Sequence, residues 1–303
     1  MSTLLDAARQ LALTTELLAR CAFPAASSRV DCAVSGGADS VALMVLAAAN
    51  GCAVTAWHVD HGLREASHHE ADLVADLARR LDVAFESRTV HVDDGPNLEA
   101  RARDARFAVL PDGVLTGHTL DDQAETVLIN LIRGAGMRGL SGMRRDRTKP
   151  LLALRRTETW ALCAALKIDV VDDPMNVDPR FQRSRIRGEL LPLLDGIADR
   201  DVAAILARQA DVFRDDDTFL DLLAGELDPA DALALVAAPA PLARRALRTW
   251  LADPYPPDIA TIERVLDVAR GNALACDVGA GRRVRRSRQR LHIERDADAD
   301  SPG

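Results

Sequence analysis

Six consecutive residues, Ser35, Gly36, Gly37, Ala38, Asp39 and Ser40, carry the groups that hold an anion. The two glycines let the backbone adopt strained angles and approach an oxyanion closely. Ser35 and Ser40 add hydroxyl donors, and Asp39 is a hard oxygen ligand suited to Mg²⁺. If a strand ends at Val34 and a helix starts near Ser40, several backbone N–H groups converge on one point at the positive end of a helix dipole. The same residues also fit a plain glycine turn with Asp39 or Ser40 as helix cap. The pattern GxxxxGK[ST] occurs nowhere in the chain, so γ-phosphate chemistry of the kinase or GTPase kind is not indicated.

Three other groups of residues have spacings that could serve chemistry. Asp122 and Glu125 stand at i,i+3 and Asp121 and Glu125 at i,i+4, which puts carboxylates on one helix face; Asp121 and Asp122 also suit a helix N-terminus for purely electrostatic reasons. His58 and His61 bracket Asp60, without a third ligand at metal-binding spacing, and either fits a solvated turn. Arg103 pairs with Glu99 at i,i+4 and with Arg106 at i,i+3, so both arginines share a face that suits phosphates or a surface salt bridge. Basic residues recur beyond these. Arg133, Arg138, Arg144, Arg145 and Lys149 surround a glycine-rich stretch, and Arg180, Arg183, Arg185 and Arg187 follow on a return segment; RNA phosphates are the partner that such groups suit. The arginines between 282 and 290 fit RNA phosphates or a solvated strand face equally well.

The elements that position these residues follow from periodicity. VDCAV, AVTAWHV, ESRTVHV and GVLTGH have the apolar content of short strands, and helical patterns alternate with them. That order predicts βαβ units and a parallel sheet of about four strands, with ligands at the carboxyl ends of the strands. The first twenty residues predict an amphipathic helix. After Gly196 the pattern is mostly helical, ending in short strands and an acidic tail. The expected division is an N-terminal helix over 1–28, an α/β domain over 29–195 and a smaller, mainly helical C-terminal domain over 196–303.

A formal charge of −8 and a pI near 5.4 argue against holding nucleic acid by overall attraction, so an RNA site must be local. Cys21, Cys32, Cys52, Cys163 and Cys276 are odd in number and form no CxxC pair, which points to a reducing cytoplasm. The most apolar run, from Val41, is far shorter than the ~20 residues of a membrane span, so no membrane is expected as a partner.

SGGADS resembles the SGGxDS loop of the ATP pyrophosphatase (PP-loop) superfamily, which implies a Rossmann-like, adenine nucleotide alpha hydrolase-like fold and cleavage of ATP between its α- and β-phosphates. With HVDHGLR, NLEARARDARF, TGHTLDDQAETVLINLIRGAGMRGLSGM, KPLL and DDPMNVDPRFQRSRIRGELLP, the likeness over most of residues 29–195 is to the tRNA(Ile)-lysidine synthetase family. The resemblance implies an ATP-dependent ligase that adenylates C2–O of the wobble cytidine in the CAU anticodon of an isoleucine tRNA. Free L-lysine then displaces AMP, which converts the tRNA to AUA decoding. It implies ATP and Mg²⁺ as cofactors, with Mg²⁺ on Asp39. Residues 35–40, His58, His61, Gly117 and His118 would contact ATP or the target base. Asp39, Arg103, Asp122 and Glu125 would be catalytic, with Asp121, Asp122 and Glu125 toward lysine and Arg106, Arg133, Arg138, Arg183 and Arg185 toward tRNA. A homodimer is compatible with it. The lysine ε-amine, with a reference pKa of about 10.4, must lose a proton before attack, which carboxylates at 122 and 125 could accept.

The chain departs from that family at three positions. Thr119 stands where a second histidine usually follows His118, Phe107 replaces a tyrosine and Ser184 an asparagine. A tRNA thiolase would carry paired cysteines and a nucleotide amidotransferase a glutaminase partner, and neither signal is present. A catalytically inactive nucleotide- or RNA-binding module is disfavoured by the joint presence of Asp39, Ser40, Asp122 and Glu125.

Overall fold

The computed structural model describes residues 3–60, 67–90, 98–171 and 178–295, with the side chains of 67–69, 98–100, 102 and 103 outside that description. The chain divides into two compact units, residues 1–211 and 212–303.

The first unit opens with two short helices, α1 (Leu4–Gln10) and α2 (Ala12–Leu18), where periodicity predicts one. Leu11 between them has extended backbone (ψ 121°), and its N–H closes α1 on the carbonyls of Ala7 and Ala8. Then β1 (Arg29–Ala33), α3 (Ala38–Ala49), β2 (Ala53–Asp60), α4 (Ser67–Arg80), β3 (Ala84–Thr89) and α5 (Leu98–Ala108) alternate as expected. The strands pair in parallel in the order β1-β2-β3. The fourth expected strand shrinks to one bridge: Leu115 donates to the Asp31 carbonyl (2.7 Å) and accepts from Ala33 N–H (2.9 Å). Thr116 N–H turns instead to the Thr148 carbonyl (2.8 Å), so the chain leaves the sheet there and runs across the start of α3.

Helix α3 is apolar on every side, and Val41 to Ala48 are all buried, as a helix enclosed by a sheet and other helices requires. On β2 the inward positions are Val54, Ala56, His58 and Asp60; the last two place polar groups at the strand's C-terminal end. The unit continues through α6 (Leu120–Ile132), α7 (Met137–Leu140), α8 (Arg156–Ala165) and α9 (Gln182–Arg185). A π-helical turn over Ile186–Leu190 leads into α10 (Leu191–Ala198), and α11 spans Val202–Gly225.

The second unit contains α12 (Ala232–Ala237), α13 (Ala240–Trp250), α14 (Ile259–Arg270) and an antiparallel sheet of β4 (Ala275–Gly279), β5 (Arg282–Ser287) and β6 (Arg290–Arg295). Leu247, Ile262, Val265 and Leu266 pack with Val278, Val284 and Leu291 from the sheet. The period-2 alternation leaves Arg283 and Arg285 exposed beside buried Val284.

Candidate active site

Strand β1 ends against the loop of Ser35 to Ser40, and the loop is held from inside. Ser40 Oγ accepts from Ser35 N–H (3.1 Å) and donates to the Gly37 carbonyl (2.8 Å), with Ser35 Oγ 3.2 Å away. Gly36 has φ +92°, and a Cβ there would meet Val171 at 3.0 Å. Both facts favour glycine. The cap of α3 is Gly37, not Asp39 or Ser40, and it offers the helix no side-chain hydrogen bond. The first N–H groups of α3 are thereby left for an anion, at the positive end of a helix of 12 residues. Gly117 crosses above this point so closely that a Cβ would lie 2.7 Å from the Asp39 carbonyl oxygen and 3.0 Å from Ser40 N. The glycine at 117 is thus required by the approach of one chain segment to the helix start.

A cleft of about 570 Å³ opens here, lined among others by Ser35, Gly37, Ala38, Asp39, Ser40, His58, Arg106, Gly117, His118, Asp122, Arg156 and Arg183. His58 is buried, with Nδ1 2.9 Å from the Val34 carbonyl. A carbonyl only accepts, so Nδ1 carries a hydrogen, and Nε2 has no hydrogen-bond partner among the described residues.

Asp39 points away from the helix cap. Its Oδ1 accepts from the Thr159 hydroxyl and its Oδ2 from Arg156 Nε (3.2 Å). Arg156, the first residue of α8, is the hub of the site. Its Nη2 lies 2.9 Å from Asp122 Oδ1, its Nη1 3.3 Å from Glu125 Oε1, and its backbone N–H donates to Asp121 Oδ2 (2.8 Å). Asp122 splits its work. Oδ2 accepts from both the N–H (2.8 Å) and the hydroxyl (2.9 Å) of Thr119, the cap of α6, while Oδ1 meets Arg156. Thr119 is therefore a buried cap that fixes Asp122.

Glu125 is fully buried and faces three guanidiniums: Arg187 Nε at 2.7 Å, Arg156 Nη1 at 3.3 Å and Arg183 Nε at 3.4 Å. It does not line the large cleft but a second cavity of about 130 Å³ behind Arg156 and Arg187, which Asp121 shares. Burial pushes the Asp39 carboxyl up, and the Thr159 hydroxyl and Arg156 offset this only in part. For Asp122 burial pushes the same way, yet Arg156, His118 and Thr119 outweigh it and hold the carboxyl low. Burial acts against the charge of Arg156, but Asp122, Glu125, Asp39 and Asp121 together raise its pKa.

The remaining expected residues are distributed differently. Arg133 and Arg138 are exposed, outside the lining of the cleft. Arg185 is exposed and pairs with Glu189 one helical turn on (3.0 Å). Arg145, Lys149 and Arg180 pair with Asp211, Asp146 and Asp178. Arg282 is buried, bonded to the Leu251 carbonyl (3.0 Å), so it holds the second unit together. His61 and the side chain of Arg103 lie outside the described residues. Sequence reasoning missed Arg156 and Thr159 altogether. One signal was available: carboxylates that converge on a buried sheet edge demand a cation, and Arg156 lies just beyond KPLL.

A parallel sheet whose first strand delivers a Ser-Gly-Gly turn onto an uncapped helix start defines an ATP-using α/β domain of the PP-loop class, and the PP-loop domain family matches residues 9–194. The TilS substrate binding domain family matches residues 231–292. A tRNA(Ile)-lysidine synthase of Nocardia farcinica is 40% identical over 302 residues, covering 92% of this chain and 95% of that protein. One of Mycolicibacterium paratuberculosis is 45% identical over 234 residues, covering 72% and 73%. The chain belongs to the tRNA(Ile)-lysidine synthase family. Among solved structures, the U34-tRNA thiolase NcsA of Methanococcus maripaludis superposes with a TM-score of 0.51 at 18% identity, over 70% of this chain and 80% of that one, which shows a shared fold.

Proposed function

We propose that the chain ligates free L-lysine to C2 of the wobble cytidine in the CAU anticodon of isoleucine tRNA, using ATP and releasing AMP and pyrophosphate. The observation that carries this reading is the single cleft in which the bare start of α3, Asp39 and Asp122 meet. The helix start and the Ser35 and Ser40 hydroxyls suit the phosphates. Cytosine O2 is a poor leaving group until it carries AMP, so adenylation precedes attack by lysine, and a cleft that joins a phosphate cradle to Asp122 suits both half-reactions. Asp122 is proposed to meet the lysine amine from the cleft wall, with Glu125 acting from behind through Arg156 and Arg187.

Asp39 fits a Mg²⁺ ligand in type and place. Mg²⁺ commonly takes one or two carboxylates together with substrate phosphates, and among the described residues no group of three His, Cys, Asp or Glu forms a closed metal site. Bound there, the metal would neutralise charge as pyrophosphate leaves. Arg106 in the cleft is proposed to face phosphate, and Arg103 and His61 are proposed site residues on the strength of the sequence pattern. The second unit is proposed to hold tRNA on the face that carries exposed Arg283 and Arg285, with Arg133, Arg138 and Arg185 as further phosphate contacts. The exposed pair of Arg185 with Glu189 is screened by water, so phosphates can displace it. A homodimer is proposed from the exposed Val212, Phe219 and Leu222 of α11, which sedimentation would read directly. The cytosol is proposed from the tRNA substrate; among the described residues no helix is long and apolar enough to cross a membrane.

Incubation with ATP, labelled lysine and an isoleucine tRNA transcript bearing CAU tests the reading. Lysine should enter the tRNA with stoichiometric AMP and pyrophosphate. ATP consumption with another acceptor, and no label in tRNA, would overturn it.

A further inference from the structure

The guanidinium of Arg156 gives each of its three nitrogens to a different carboxylate: Nε to Asp39, Nη2 to Asp122 and Nη1 to Glu125. With Thr159 on the other oxygen, both oxygens of Asp39 are occupied by protein donors. These two donors sit on one turn of α8, at positions 156 and 159, and the Arg156 side chain is only 20% exposed. A divalent cation on Asp39 Oδ2 would share that oxygen with the Arg156 guanidinium, whose Nε rests on it at 3.2 Å, so two positive charges would compete for one carboxylate.

We infer that Arg156 is a placeholder cation: it neutralises Asp39 and is displaced from it when that carboxylate binds a metal. This rests on the metal role of Asp39 proposed above. The phosphates of ATP supply the driving force. They enter beside Arg156 in the same cleft, and a phosphate oxygen offers the released Nε–H a charged acceptor in place of the carboxylate it loses. Metal and nucleotide therefore enter together, and Asp39 is not left as an uncompensated, half-buried charge at any stage. Arg156 is a positioning residue in this scheme, since it acts on the metal ligand by vacating it.

The inference makes a prediction opposite in sign to that of a structural arginine. Without nucleotide, Arg156→Gln should bind Mn²⁺ at least about tenfold more tightly than the wild type, a gain that adding Asp39→Asn removes, because no cation has to be displaced. Adenylation of tRNA should at the same time fall. Arg156→Lys keeps the local charge but reaches fewer carboxylates, and should lie between the two in Mn²⁺ affinity. Free Mn²⁺ counted by electron paramagnetic resonance gives the affinities, and melting curves with and without Mn²⁺ show whether each variant is folded. Without nucleotide, the wild type should hold no Mn²⁺ that Asp39→Asn removes. Nucleotide-free Mn²⁺ binding by the folded Gln and Lys variants that is no tighter than the wild type's, or nucleotide-free Mn²⁺ on wild-type Asp39, would overturn the placeholder while leaving the metal role intact. Mn²⁺ binding with the analogue that is indifferent to Asp39→Asn would overturn both.

Discussion

Glu125 offers the sharpest energetic test of the site. It is fully buried, and Arg187, Arg156 and Arg183 approach it at 2.7, 3.3 and 3.4 Å. Glu125→Gln keeps the volume and one acceptor oxygen, which can still serve Arg187 Nε, but turns an NH₂ toward guanidinium donors and removes the charge. Breaking a buried ion pair from one side costs about 3–5 kcal/mol. The three arginine side chains are 20–31% exposed and retain some water, so the low end applies, about 3 kcal/mol. At about 2–4 °C per kcal/mol for a unit of this size, the first unit should melt roughly 6–12 °C lower. Glu189→Gln is the matched control, since its pair with Arg185 is more than half exposed on both sides. It should leave melting essentially unchanged, because water screens an exposed pair. Calorimetry of both variants in one buffer decides the matter. Equal, small shifts would mean that the guanidiniums around Glu125 are compensated by water and that the cluster does not organise the site.

Gly117→Ala should destabilise by about 1–3 kcal/mol and weaken ATP binding, because its Cβ would press on the backbone of Asp39 and Ser40; a variant with wild-type melting and ATP affinity would contradict the close approach. Asp122, held below its usual 3.8, adds stability that is complete above that pH and is lost as pH falls through its depressed folded value. Asp122→Asn should therefore flatten the dependence of stability on pH below about 4, seen in urea titrations at stepped pH; an unchanged slope would refute the coupling to Arg156 and Thr119. Arg185→Glu, at an exposed position, should leave melting unchanged but weaken tRNA binding and reduce its salt dependence, as filter binding at two salt concentrations would show. Asp39→Ala should abolish pyrophosphate release from ATP and tRNA, and retained release would contradict its metal role.

The strand and helix order was legible because α3 and β2 bury their residues with the periods that the sequence displays. Two elements escaped. The break at Leu11 depends on one extended residue inside an unbroken apolar pattern, which periodicity does not register. GVLTGH has the composition of a strand, but its pairing ends at Leu115 because Thr148, distant in sequence, takes the next N–H. Turn chemistry around Ser35–Ser40 was legible to the type of residue and no further. That Gly37 would cap α3, and Asp39 turn away, depends on Thr159 and Arg156, more than a hundred positions on.

The basic residues show why charge in sequence is a poor guide to what a charge does. Arg183, Arg185 and Arg187 look equivalent on the return segment, yet the π-helical turn that follows α9 begins at Ile186, which is buried, and it separates their fates. Arg183 and Arg187 turn inward to Glu125, whereas Arg185 projects outward to Glu189. Positions 183 and 187 are four apart and share a face; 185 lies on the opposite one. The spacing thus contained the division, but its meaning required knowing that a buried carboxylate waited on the inner face. Substituting Arg183 or Arg187 would confound tRNA binding with loss of the site's own ion pairs. Only the outward arginine isolates the electrostatics of RNA contact.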